Sequence, residues 1–403
     1  MNTSLVNDLL PDGIDPIDDT DLLNSLELPP ESAFDTFVLP ERIRERSLED
    51  LDNLITRSES DHAVYPTGFA ALDEWTDGGI SPGKLILLGA LPNYGKTAVL
   101  QTLLRGMVDL NSDVIAMAFS LDDTVSDYLA RYLAGEGRLP IWACQQATNR
   151  RGADRRLGTN YEERFERSCT RYRNYTSKRL MIKGKRDITL QGKNVEGPLE
   201  IIERNIQEVY NAVRTSSGRR PQLVITIDSP RNIKIKEGGL ASNPTAMTEF
   251  IGSGIKEMLD SQVVIDGKTE RIEPIIFTTE HIKKLPKDQV RPGADDIKDS
   301  ITLQYHADLL LMLWNDACYR ARVLKQDKVS EMTFDRPDLP DKRNNGRPSL
   351  DPIVELTLGK NKDGRMHYGG STSTDLFKFY QDQSRVEEIT DRAEFDLYAA
   401  MME

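Results

Sequence analysis

The sequence predicts an α/β fold with a mostly parallel central sheet flanked by helices. Three observations predict it. Short apolar runs recur from about residue 63 onward, helical stretches lie between several of them, and the first run leads through a loop directly into an apolar helix. The runs are LILLGAL (85–91), DVIAMAFS (113–120), QLVITID (222–228), PIIFTTE (274–280), ADLLLMLW (307–314) and IVELTLG (353–359). Near-continuous Leu, Ile and Val is the pattern of strands buried on both faces. The stretches 96–110, 124–134, 198–214 and 245–260 read as the helices. Alternation of this kind implies a doubly wound sheet. There is no internal repeat.

Other stretches read differently. Residues 1–40 hold nine acids, no Lys or Arg, and five prolines, so they read as a disordered acidic head. Its leucines alternate with acids, which suits either a solvated tail or a segment that folds onto a protein partner. Within 41–62, residues Ile43, Leu48, Leu51, Leu54 and Ile55 form one apolar stripe at helical spacing, the mark of a linker helix. Residues 63–385 form the main domain. Within it, 150–193 carry fourteen bases against five acids, with Tyr161, Phe165, Tyr172 and Tyr175 interleaved. This basic helical insertion is either a nucleic-acid surface or, as favoured here, a charged subdomain whose aromatics pack inward. Residues 335–352, rich in Pro, Asn and Asp, read as a surface loop, and 386–403 as a C-terminal tail.

Composition excludes several classes. At 403 residues the chain can bury a sizeable core. The net charge of −13 argues against a nucleic-acid coat held by bulk charge. Without the head, however, 52 bases face 56 acids, so a local basic channel is compatible with the total. Three cysteines, Cys144, Cys169 and Cys318, with no CxxC pair, make a disulfide scaffold or a four-ligand zinc site an unsuitable reading. The amino terminus lacks a basic n-region and the apolar runs are too short to span a bilayer. The expectation is a cytoplasmic protein with no membrane partner.

The strongest chemical signal is LILLGALPNYGKTAVLQTLL (85–104). A strand, a loop ending in Gly95-Lys96-Thr97 and a helix give the context that a P-loop requires. The loop Pro92, Asn93, Tyr94, Gly95, Lys96 and Thr97 is read as the cradle of a nucleotide. Backbone N–H groups of 93–97 would face phosphate oxygens at the helix N-terminus, Lys96 would reach the β and γ phosphates, and Thr97 would ligate Mg²⁺. The first glycine of the usual pattern is Ala90, with Gly89 just before it. Asp228 ends an apolar strand and has the form of the second carboxylate that supports the metal. Asp122 and Asp123 follow another strand, where ligands of α/β sheets bind. Asp123 suits the cap of the next helix and Asp122 the site.

Several separated segments together resemble the ATPase domain of DnaB-type replicative helicases, in the RecA-like superfamily. TGFAALDEWTDGGISPGKLILLGALPNYGKT is similar to the family's entry and phosphate loop, including Pro92. FSLDD, YLARYLAGEGRLP, QLVITIDSP, RPGADDIKDSITLQYHADLLLML and ELTLGKNKDGR follow in the family's order, from about 63 to 380. The resemblance implies a RecA-like P-loop core, a homo-oligomer in the form of a hexameric ring, ATP and Mg²⁺ between subunits, and single-stranded DNA through the hole. It implies catalytic roles for Asp122 in place of a glutamate, Asp228 at the metal, Glu280 in place of a glutamine that senses the γ-phosphate, and Lys360 and Lys362 in place of a trans-acting Lys-x-Arg. DNA-binding loops would hold Arg231, Lys234 and Lys236, then Lys283, Lys284, Lys287 and Arg291.

Departures from the family pattern define the alternatives. Asp122 is one methylene shorter than glutamate, Glu280 puts a carboxylate where a neutral amide is usual, and Lys362 is a point charge where a guanidinium fork is usual. Arg365 lies close enough in sequence to substitute. The 62 residues before the main domain leave no room for the family's N-terminal collar, so the expectation is a chain that lacks it. The reading is therefore an ATP-hydrolysing helicase or translocase on single-stranded DNA. The alternative is a RecA-like or KaiC-like ATPase ring that serves as a switch or assembly platform with weak hydrolysis.

Overall fold

The computed structural model describes Leu48, Leu51 and residues 64–188, 197–235, 243–283, 291–297, 301–321, 332–340, 348–362 and 374–401. The acidic head lies outside them, and of the linker helix only Leu48 and Leu51 are included, both helical and exposed. Residues 1–62 and 63–403 form separate units.

The second unit is built on β1 (Leu85–Ala90), β2 (Val114–Ser120), β3 (Leu180–Gly184), β4 (Gln222–Asp228), β7 (Ile275–His281), β8 (Leu309–Trp314), β10 (Pro348–Asn361), β11 (Thr374–Tyr380) and β12 (Arg385–Glu388). These pair in the order β3-β2-β4-β7-β1-β8-β10-β11-β12. The first five pairings are parallel, and the last three antiparallel. A further strand, β9 (Thr333–Pro340), pairs antiparallel with β10, while β5 (Gln262–Ile265) and β6 (Lys268–Arg271) make a separate hairpin. The mostly parallel sheet read from the sequence is the one found, and the six expected strands are all present.

Alternation along β1 explains the layers. Ile86, Leu88 and Ala90 enter one apolar core with α1 (Ala70–Trp75), α2 (Lys96–Leu110) and α3 (Val125–Gly137). Leu85 and Leu87 enter the other, with α7 (Pro198–Ser217) and α8 (Pro244–Glu257). A parallel strand buried on both faces has no polar side, which is why its sequence reads as an unbroken apolar run. Between β2 and β3 lie α4 (Ile141–Gln145), α5 (Ala147–Leu157) and α6 (Tyr161–Asn174). Short helices α9 (Ile301–His306) and α10 (Asp316–Tyr319) flank β8, and α11 (Arg392–Ala400) closes the described chain.

Three stretches differ from the sequence expectation. The basic stretch 150–193 is helical at first but ends in β3, which extends the sheet beside β2. Its aromatics largely pack inward, with Tyr172 edge-on to Tyr132 and Phe165 under Arg150, while Tyr175 stays exposed. Within the expected loop 335–352, β9 and β10 form a ladder that pairs Arg336 with Ser349 and Asp335 with Leu350. The charges that suggested a loop are satisfied internally: Arg336 is buried, pairs with Asp351 and Asp382, and stacks on Tyr380. The expected tail 386–403 contributes most of β12 and α11, with Tyr398 buried. Glu388 accepts from the Ala70 and Ala71 N–H groups at 2.6 and 2.8 Å, which caps α1.

Candidate functional site

The carboxyl ends of β1, β2, β4 and β7 meet around one cavity of about 540 Å³, and the sequence-predicted phosphate loop forms one wall. Gly95 caps α2 with φ 103°, a backbone that side chains rarely adopt, and a Cβ there would lie 2.9 Å from the Phe379 ring. The loop therefore needs glycine on two counts. Lys96 is the first residue of α2 and only 8% exposed. Its Nζ donates to the carbonyls of Ala90 at 3.1 Å and Leu91 at 3.2 Å, and meets His281 Nδ1 at 3.2 Å. Burial pushes Lys96 down to about 8, and Arg231 acts the same way, while Asp228, Glu280 and Asp122 oppose the shift. A buried cation held, among the described residues, by carbonyls and an imidazole suits an anion that would supply the missing charge.

Thr97 Oγ1 donates to Asp228 Oδ2 at 2.6 Å, and Thr279 Oγ1 donates to Asp228 Oδ1 at 2.9 Å. The hydroxyl of the loop and the carboxylate of β4 thus sit together as the metal-binding reading requires. The Leu121 N–H donates to the Asp228 carbonyl at 2.6 Å, which ties the ends of β2 and β4. Asp122 lines the cavity and accepts from Asn232 Nδ2 at 3.2 Å. Asp123 is not the helix cap. Thr124 is, accepting from the Asp127 N–H at 3.1 Å, and Asp123 pairs with Arg131 beside the cavity.

Glu280 is not on the cavity wall. Successive side chains of a strand point to opposite faces. Thr279 and His281 face the phosphate loop, whereas Glu280 points the other way and pairs with Arg231. Burial raises its carboxyl, and the His281 N–H and Arg231 counter this. Lys360 and Lys362 lie at the opposite end of the sheet. β10 runs antiparallel to β8, so its last residues sit beside the start of β8. Lys360 Nζ donates to the carbonyls of Gln304 and Tyr305 at 2.9 and 3.0 Å, and Lys362 Nζ pairs with Asp308 at 3.1 Å.

The basic residues assigned to DNA separate into three groups. Lys234 is exposed. Arg231 and Arg291 each hold a buried glutamate, Glu280 and Glu355, and Lys283 Nζ donates to the Asp295 carbonyl at 3.3 Å. Lys236, Lys284 and Lys287 lie outside the described residues, as does Arg365, the catalytic candidate near Lys362. Sequence reading missed His281, Arg131 and Phe379. The period of two along β7 places His281 on the same face as Thr279 and could have found it. Phe379 carries no local signal, since it returns on an antiparallel strand far along the chain.

A Gly-Lys-Thr loop between a parallel strand and a helix, with a strand-end aspartate bonded to its threonine, defines a P-loop domain of the α/β class. Residues 65–191 match the family model described as the DnaB-like helicase C terminal domain. The replicative DNA helicases DnaB of two Helicobacter pylori strains are each 23% identical over 326 residues, covering 79% of this chain. The chain spans 56% of the length of those relatives. The solved ATPase domain of G40P superposes with a TM-score of 0.58 at 16% identity, covering 86% of this chain and 98% of its own. A DnaB-like replicative helicase studied with primase gives the same TM-score at 17% identity, covering 85% of this chain and 66% of its own. These matches support the reading of a DnaB-type ATPase domain in this chain, and the solved structures share its fold.

Proposed function

We propose that the chain is an ATP-driven helicase or translocase that works as a ring on single-stranded DNA. The observation that carries the reading is the set Lys96, Thr97 and Asp228, held together at the carboxyl ends of the sheet in a domain of DnaB type. These residues fit a magnesium nucleotide. Lys96 is a buried cation with no carboxylate bonded to it among the described residues, Gly95 leaves the loop open, and Thr97 and Asp228 offer adjacent oxygens. When bound, ATP with Mg²⁺ supplies a phosphoryl group poised for transfer to water.

Each residue then has a task. Lys96 exchanges its carbonyl partners for phosphate oxygens. Thr97 and Asp228 would hold the metal and its water shell. Asp122, steadied by Asn232, orients the attacking water and accepts its proton. Lys360 and Lys362 are too far from their own chain's loop to help, so they serve the site of an adjacent subunit, and that requirement supports a homo-oligomer. In a ring of this kind Lys234 and its neighbours would meet the DNA backbone, a contact that weakens as salt rises. Residues 1–40 are left as a segment for a protein partner.

The test is unwinding of a forked duplex in ATP and Mg²⁺ by the full chain and by Lys96→Ala. Unwinding by the full chain and its loss in the variant are expected. Unwinding that persists in Lys96→Ala would contradict the reading. One observation favours a switch with slow hydrolysis instead: Glu280 is paired with Arg231 and turned from the cavity, so the residue expected to sense the γ-phosphate is engaged elsewhere.

A further inference from the structure

We infer that Tyr94 is a positioning residue of the phosphate loop: its ring, packed through Trp314 to Tyr319, holds the loop in the shape that receives phosphates before a nucleotide arrives. The inference rests on the ATPase reading above and deepens it. Sequence alone placed Tyr94 in the cradle with its neighbours. In the structure Asn93, Gly95, Lys96 and Thr97 line the cavity, whereas Tyr94 is 2% exposed and its side chain enters the apolar core shared by β1 and β8. Pro92 and Asn93 just before it are exposed. The loop is thus fastened into the core at its middle.

The backbone on either side of Tyr94 is what needs fastening. Asn93 has φ 68° and Gly95 φ 103°, both left-handed, and Tyr94 between them is not left-handed. Glycine takes that conformation freely, but asparagine takes it at a cost. Alternation of this kind turns successive N–H groups toward one side and makes a concavity for an anion. The aromatic contacts offset the cost when no phosphate is bound. The Tyr94 ring meets Trp314 edge-on, with centroids 5.6 Å apart at 62°, and Trp314 meets Tyr319 at 4.7 Å. Such pairs stabilise beyond the area they bury. The same ladder reaches another wall of the cavity. Trp314 ends β8 and Tyr319 ends α10. Asn315 caps α10, its Oδ1 accepting from the Cys318 N–H at 2.9 Å, and Cys318 lines the cavity. The loop and α10 therefore share one aromatic support, and a change in the loop on binding reaches Trp314 through a single ring contact.

The test is equilibrium binding, by calorimetry in Mg²⁺, of ADP and of a non-hydrolysable ATP analogue to the full chain, to Tyr94→Phe and to Tyr94→Leu. Tyr94→Phe should bind as wild type, because the ring remains. In Tyr94→Leu both nucleotides should weaken together by about tenfold, as expected when the loop is competent a tenth of the time. Turnover should show a raised KM with kcat nearly kept, since bound substrate restores the loop. Should Tyr94→Leu fail to fold, Trp314→Leu, which removes the other ring of the contact, carries the same expectation. A second readout uses Trp314 emission in a chain whose other tryptophans are replaced, Trp75→Phe and Trp142→Phe. Nucleotide should shift that emission, and Tyr94→Leu should remove most of the shift. Unchanged affinity in a folded Tyr94→Leu or Trp314→Leu chain, a folded Tyr94→Phe chain as weak as Tyr94→Leu, or Trp314 emission indifferent to a nucleotide that binds, overturns the inference while leaving the ATPase reading standing. A wild-type chain that binds neither nucleotide overturns the ATPase reading itself.

Discussion

Burial of Lys96 sets the electrostatics of the site. Its value of about 8 lies below the ordinary 10.5, because burial penalises the charged form. The folded chain therefore binds this proton less readily than the unfolded chain. The cost to stability is complete below about pH 8 and fades as pH rises toward 10.5. At about 1.4 kcal/mol for each pH unit of separation, the cost is roughly 3 kcal/mol. Lys96→Met should abolish ATP turnover and yet raise the thermal midpoint measured without nucleotide at pH 7. The gain should shrink when the melt is repeated near pH 10, and a variant less stable than wild type at pH 7 would contradict this. Gly95→Ala should act the other way. The left-handed φ and the Phe379 ring at 2.9 Å should cost about 1–3 kcal/mol in chemical denaturation, together with nucleotide binding. Lys96, Thr97 and Asp228 were legible in the sequence because a short local motif and a strand end position them. Glu280 and His281 were not separated, since a resemblance aligns positions but does not say which strand face a side chain takes.

At the scale of elements, the strands buried on both faces were legible because nothing but Leu, Ile, Val and their like fits there. The antiparallel side of the sheet was harder. β9 and the start of β10 carry Arg336, Asp335 and Asp351, which read as solvated, yet Arg336 is buried between Asp351 and Asp382. Long-range ion pairing removes the polar excess that composition took for a loop. Removing one partner of a buried pair leaves an uncompensated charge, so Arg336→Met should cost about 3–5 kcal/mol in urea unfolding. A loss below 1 kcal/mol would show that the ladder stands without the pair. The β5–β6 hairpin turns at Asp266 and Gly267, both with positive φ, and Asp-Gly is the local signal that marks such turns. The edge strand β3 had no such marker. Only its ends, Leu180 and Gly184, are buried, so it lacks both an apolar run and a clean alternation.

For the whole molecule, the opposition of the two ends of the sheet matters most. Lys96 sits at the carboxyl end of β1, and Lys360 and Lys362 beside the start of β8 at the opposite end of the sheet, so one chain alone does not bring them to one phosphate. A mixing experiment checks this. Lys96→Ala and Lys362→Ala chains, each expected to be inactive alone, should recover a fraction of ATP turnover when combined if neighbouring chains share a site, because some interfaces would regain both intact residues. No recovery at any ratio would argue that Lys362 does not act on a neighbour. The charge of −13 has the same lesson of scale. Nine of its acids lie in residues 1–40. Deleting those residues should leave turnover unchanged, and lost turnover would give the segment a catalytic part. The most direct measurement is steady-state ATP turnover of the full chain in Mg²⁺, with and without single-stranded DNA. A DNA-driven motor requires turnover that rises strongly with DNA and vanishes in Lys96→Ala, whereas turnover indifferent to DNA would contradict a helicase and leave a switch.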